Sequence, residues 1–115
     1  MSNDLFGIHA AALELHSQRM GLLASNIANA GTPGFKAKDI DFAGALRASE
    51  RGTEVDRAAA GATLYRVPVM PSLDGNTVEL QGEQVAFSEN AVGYSATLEF
   101  IRGRVDTVTR ALRGD

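Results

Sequence analysis

The chain has 115 residues, no cysteine, and a formal net charge of −3 at pH 7. This length allows one small domain, and the acidic balance argues against nucleic acid as a partner. The lack of cysteine excludes disulfides and thiolate metal sites, and we expect no membrane span because no apolar run reaches the roughly 20 residues required.

Residues 4–30 predict a long amphipathic helix, in which apolar side chains recur at steps of three and four. One row is Phe6, His9, Leu13, His16, Met20, Leu23 and Ile27, and a second row beside it is Leu5, Ile8, Ala12, Leu15 and Leu22. Because two rows make a wide apolar stripe, more than one neighbour is needed to cover it. We expect Asp4 or Asn3 to cap the start of the helix.

A stretch rich in turn-forming residues follows this helix. Asn26 and Asn29 mark its end, and Gly31 suits the left-handed position just beyond it. Residues 32–35 read Thr-Pro-Gly-Phe and predict a type II turn, since the third position, Gly34, requires positive φ. On this chemistry alone, the stretch fits an ordinary helix stop as well as a functional surface.

The middle of the chain, residues 31–79, is expected to hold the turn, an extended arm and a flexible loop. Residues 36–42 alternate charged and apolar side chains, which predicts a short strand or an extended arm. Residues 43–48 predict one or two helical turns. Residues 49–63 have almost nothing to bury and predict a mobile loop.

The rest of the middle combines one apolar stretch with one turn. Residues 64–67 predict a strand, which Pro68 ends because proline cannot donate to the ladder. Residues 71–76 form a cluster of turn residues in which Asp-Gly is the sharpest element.

Residues 80–113 predict a second long helix, about 50 Å in length. Its apolar seam is spaced 4-3-4-3-4-3-4 and consists of Phe87, Ala91, Tyr94, Leu98, Ile101, Val105, Val108 and Leu112. Gly82, Gly93 and Gly103 each cost about 1 kcal/mol against alanine in a helix interior, so the helix should be weak unless it is packed. It fits the core of a simple helical hairpin or an assembly helix that orders on joining partners.

Residues suited to catalysis or metal binding are scarce. The only histidines, His9 and His16, stand about 10 Å apart along a helix, which is too far for one metal ion. We expect them at an interface or half-buried. Asp39 and Asp41 fit solvated charges better than an acid–base pair, and Ser25 lacks the surroundings of a hydrolase nucleophile. The sequence therefore predicts a protein that is not an enzyme and has no cofactor or metal.

The stretch formed by residues 23–35 closely resembles the signature of bacterial flagellar basal-body rod and hook proteins. Its motif residues are Ser25, Asn26, Ile27, Ala28, Asn29, Thr32, Pro33, Gly34 and Phe35. The continuation through residues 36–42, together with residues 65–68 and 71–78, resembles the proximal rod members of the family. Gly31 stands where an acidic residue is common in the family, which we expect to loosen the turn without changing the role.

The resemblance covers about residues 16–113 and implies a mainly α fold. The N-terminal helix, residues 1–30, and the C-terminal helix, residues 80–115, would pair as an antiparallel coiled coil joined by a largely irregular middle with possible short β segments. The expected assembly seam consists of Leu13, Met20, Leu23, Ile27, Phe87, Tyr94, Leu98, Ile101, Val105, Val108 and Leu112. The second row of the first helix, Ile8, Leu15 and Leu22, would then face neighbouring subunits.

The resemblance also implies a structural role, in which subunits polymerise into a helical tube that transmits torque from the membrane ring to the hook and filament. The implied partners are further copies of the chain, the rod proteins FlgC, FlgF and FlgG, the adapter FliE and the MS-ring protein FliF. The implied location is the periplasmic rod, reached by flagellar type III export without a cleaved signal peptide, since the first residues lack a basic n-region. The alternative is a cytoplasmic coiled-coil adaptor or a flagellar export chaperone.

Overall fold

The computed structural model describes residues 6–114, which form four helices and a two-stranded sheet. In chain order the elements are α1 (Gly7–Ala28), β1 (Lys38–Ile40), α2 (Phe42–Glu50), α3 (Val55–Gly61), β2 (Thr63–Tyr65) and α4 (Leu80–Arg113). The molecule measures 64 × 26 × 18 Å, and α4 sets its long dimension. The mainly α fold is as predicted, whereas the expected cap at Asn3 or Asp4 lies outside the described residues.

The two terminal helices, α1 and α4, pack against each other in antiparallel directions. Near one end of the pair the His9 ring contacts the Phe100 ring at a tilt, with ring centroids 4.1 Å apart. Near the other end the Asn26 amide donates to the Glu83 carboxylate at 3.0 Å. This confirms the predicted pairing of the chain ends. The second helix also has its predicted extent, and it ends at Gly114 with a left-handed φ of 78°.

The strands predicted near residues 36–42 and 64–67 are present and pair with each other. In their antiparallel register Lys38 lies opposite Tyr65, and Ile40 lies opposite Thr63. The next element, α2, begins directly after β1, because the Asp41 carboxylate accepts a hydrogen bond from the Gly44 backbone N–H at 3.2 Å. The sheet and α2 together lie against one side of α1.

The prediction of a mobile loop at residues 49–63 is wrong, because helix α3 occupies this segment. Ala58 and Ala59 are only 4% and 3% exposed, and Ala59 belongs to the hydrophobic core. The Thr63 hydroxyl donates to the Ala59 carbonyl at 2.8 Å at the end of the helix. Alanine buries little area per residue, so the segment looks polar in sequence, but its small side chains let α3 approach the core closely.

The core lies where α1 meets β1, α2 and α3. Its buried members are Leu15, Ile40, Ala45 and Ala59, surrounded by the partly buried Leu22, Phe42, Leu46, Val55 and Ala62. Leu15 is 0% exposed. The expectation that Leu15 and Leu22 face neighbouring subunits is therefore wrong, since the middle of the chain folds back over them. Of that row, only Ile8 is exposed in the described chain.

Candidate assembly site

The chain leaves α1 through a sharp bend, residues 29–35, which we call the elbow. Asn29 caps the helix, and its amide donates to the Ser25 carbonyl at 2.8 Å. The Phe35 N–H donates to the Thr32 carbonyl at 3.2 Å, and Gly34 has a φ of 76°, as the predicted turn requires. Gly31 does not have the expected positive φ. The Asn29 cap ends the helix instead.

The elbow is also held from outside by Asn76, which is 6% exposed. Its side-chain amide lies 2.9, 3.2 and 2.7 Å from the carbonyl oxygens of Asn29, Ala30 and Thr32. One amide group therefore contacts three carbonyls of the elbow, just beyond the end of α1. The turn predicted at residues 71–76 thus ends in the residue that fixes the elbow.

Asn26 does not shape the elbow, although the sequence suggested that it marks the helix end. It lies inside α1, is 2% exposed, and turns toward the sheet. Its amide donates to the Lys38 carbonyl at 2.7 Å and accepts from the Lys38 N–H at 3.1 Å. The same amide nitrogen reaches Glu83 of α4 at 3.0 Å. Asn26 therefore joins α1, β1 and α4.

Glu83 connects Asn26 to a chain of three further charged side chains. We call the whole group of five residues the polar junction: Arg19, Asn26, Asp39, Arg66 and Glu83. Arg19 binds Asp39 through two hydrogen bonds of 2.7 and 2.9 Å. Arg66 bridges Asp39 at 2.8 Å and Glu83 at 2.6 Å. Glu83 is 1% exposed, and a buried carboxylate is tolerated only when it is paired and hydrogen-bonded. Two arginines and two carboxylates make the junction neutral overall.

The protonation equilibria of the junction follow from these contacts. Burial alone would raise the pKa of the Asp39 carboxyl, but the hydrogen bonds and positive charge of Arg19 outweigh it, so this pKa lies below its usual value. The hydrogen bond to Asp39 likewise raises the pKa of Arg19. Burial would lower the pKa of Arg66, yet its contacts with Glu83 and Asp39 raise it. The contacts of Asp39, Arg19 and Arg66 therefore favour the charged form of each of these three groups.

A second polar contact joins α1 to α4 through His16. Its ring Nδ1 lies 2.8 Å from the Asn90 Oδ1, and the Asn90 amide donates to the His16 carbonyl at 2.7 Å. The ring also stacks on Phe42 of α2, with centroids 4.2 Å apart. His9 and His16 are both half-buried, as expected. His16 thus ties α4 to the core beneath α2.

The predicted seam residues differ in exposure. Leu23 is buried, and Leu13, Met20, Ile27, Phe87, Tyr94, Leu98, Ile101 and Val108 are half-buried. Val105 and Leu112 are 46% and 84% exposed. In α4 the fully buried positions are Glu83, Ala86 and Asn90. Within one chain, the apolar seam therefore lies beside the most deeply buried positions of α4 rather than on them. The role of the seam in assembly stays a prediction.

The family-motif residues divide in a similar way. Asn26 is buried, Ile27, Asn29 and Phe35 are half-buried, and Ser25, Ala28, Thr32, Pro33 and Gly34 are exposed. Asn26 joins α1 to β1 and α4, whereas Asn29 and Phe35 make hydrogen bonds within the elbow. The exposed members form an accessible surface around the elbow.

Sequence patterns assign no role to Arg19, Asn76, Glu83 and Asn90, and Arg66 enters only through residues 65–68 of the family resemblance. One signal was available, because Glu83 and Asn90 are spaced seven residues apart on the predicted helix. Their partners are 57 and 74 residues away in the chain, so no local pattern could identify them.

Within residues 6–114, no three histidine or acidic side chains lie close enough together to hold a metal ion. No helix in the same range is both long enough and apolar enough to cross a membrane. What the described residues do present is a helix pair fixed by polar contacts, with exposed apolar side chains along α4.

Comparison with known proteins identifies the class to which this architecture belongs. The family described as "Flagella basal body rod protein" matches residues 6–36, which include α1 and the elbow. This match, over about the first third of the chain, points to the flagellar basal body rod proteins.

Full-length relatives narrow the assignment. "Flagellar basal body rod protein FlgB" of Cereibacter sphaeroides is 46% identical, covering 97% of this chain and 96% of its own length. The proteins of the same name from Aeromonas hydrophila and Escherichia coli are 42% and 36% identical, covering 96% and 89% of this chain and 93% and 88% of their own lengths. The chain belongs to the FlgB family of flagellar basal body rod proteins.

Proposed function

We propose that this chain polymerises through its terminal helices into the proximal rod, the shaft that transmits motor torque from the membrane ring to the hook and filament. The observation that carries the proposal is the alignment with a FlgB protein over 97% of the chain, which includes both terminal helices and the elbow. The role is structural rather than catalytic.

The geometry of the helix pair supports a load-bearing role. The polar junction and the His16–Asn90 contact fix α4 on α1 at two levels, so the pair can move as one stiff unit. Burial of apolar surface contributes about 25 cal/mol of stabilising free energy per Å². In a tube this contribution is repeated at every contact between subunits. Modest interfaces between copies are therefore enough to stiffen a shaft.

The proposed surroundings follow from the same family. The chain would meet FlgC, FlgF and FlgG within the rod, and FliE and FliF at its base. It would reach the periplasmic rod through flagellar type III export. The three glycines inside α4 support passage as an unfolded chain, because they weaken the helix until it packs.

Substitution of Leu98, a half-buried seam residue, tests this proposal. In cells lacking the native protein, we expect Leu98→Asp to abolish rod assembly and motility, because it buries an unpaired carboxylate in the seam. Leu98→Met, which conserves volume and polarity, should support both. Motile cells carrying Leu98→Asp would contradict the coiled-coil assembly.

Fractionation separates the rod from the alternative adaptor or chaperone. A rod subunit should co-purify with detergent-extracted basal bodies, and its amount there should fall with Leu98→Asp. Recovery of the native chain only in a soluble cytoplasmic complex would contradict the proposal.

A further inference from the structure

We draw no further inference here: the strongest candidate, the surface loop between β2 and α4 on which Val67, Val69, Met70 and Leu73 form an exposed apolar patch, carries nothing further because nothing in the described residues 6–114 shows what covers it.

Discussion

Gly93 of α4 lies so close to His16 of α1 that a Cβ on residue 93 would be 2.7 Å from the His16 Cε1. The ring has little freedom to retreat, since Asn90 binds its Nδ1 and Phe42 stacks on its face. A glycine that weakens the isolated helix therefore permits the close contact between the two terminal helices.

This contact predicts opposite effects for two glycines of the same helix. Gly93→Ala should lower the free energy of unfolding by about 1 kcal/mol, because the displaced ring costs more than the gain in helix propensity. Gly103→Ala should raise it by about 0.5–1 kcal/mol, since no atom lies within 4 Å of a Cβ there. Urea unfolding of both variants measures the difference. If Gly93→Ala stayed destabilising in a His16→Ala background, the clash would not be its cause.

Asn26 should be the most sensitive residue of the family motif. Asn26→Ala removes both hydrogen bonds to the Lys38 backbone and the one to Glu83, so it leaves buried groups unpaired. We expect the free energy of unfolding to fall by about 3 kcal/mol. Asn29→Ala, which loses exposed bonds to Ser25 and Thr32, should cost about 1 kcal/mol. Thermal and urea unfolding measure both variants. If Asn26→Ala lost no more stability than Asn29→Ala, the structural role assigned to Asn26 would be wrong.

The depressed pKa of Asp39 predicts loss of stability in acid. The unfolded carboxyl takes up its proton near 3.8, and the folded one does so only at lower pH, so the stabilisation is complete above that value. It is lost as the pH falls through the folded pKa. Asp39→Asn should therefore be less stable at neutral pH and should show a shallower decline below about pH 4.

The partner of Asp39 offers an independent check of this pH dependence. Arg19→Gln removes the hydrogen bonds and the charge that hold the pKa of Asp39 down, so the carboxyl should titrate at higher pH. NMR titration of the Asp39 side chain measures the change. An unchanged titration would show that Arg19 is not its cause.

Leu15 tests whether the middle of the chain folds over α1. Leu15→Ala should destabilise the protein by about 2–4 kcal/mol, because it leaves a cavity beneath Ile40 and Ala59. Leu64→Ala should change stability by less than about 0.5 kcal/mol, since Leu64 is 62% exposed. Calorimetry of the two variants compares them directly. A stable Leu15→Ala protein that failed only in assembly would favour an outward-facing Leu15 instead.

The parts of the fold that sequence could predict depend on local spacing. The extent of α4 follows from an unbroken apolar heptad pattern, and the turn at Gly34 follows from the φ that its third position needs. Both signals lie within a few residues of the structure they determine. The short strands were also visible from alternating apolar residues, although β2 covers Thr63–Tyr65 and ends before the predicted stop at Pro68.

The parts that could not be predicted depend on distant partners or small side chains. Glu83 and Asn90 look like solvent-facing residues until Asn26 and His16 are placed beside them. Helix α3 was not predicted, because its buried face consists of alanine, which gives little hydrophobic signal in the sequence. In each case the stabilising contact forms only when the chain folds back on itself. Neither secondary-structure propensity nor hydrophobic periodicity can predict such a contact.

The grip of Asn76 on the elbow has a kinetic consequence. Its amide binds carbonyls 44 to 47 residues earlier in the chain. The bend therefore cannot reach its final hydrogen-bonded form when only α1 and the elbow have been released. Contacts of such high sequence separation form slowly, because a long loop must close before they contribute. A chain that emerges N-terminus first would therefore display an unfinished bend until residue 76 arrives, and the order of emergence sets when the first helix acquires its final direction.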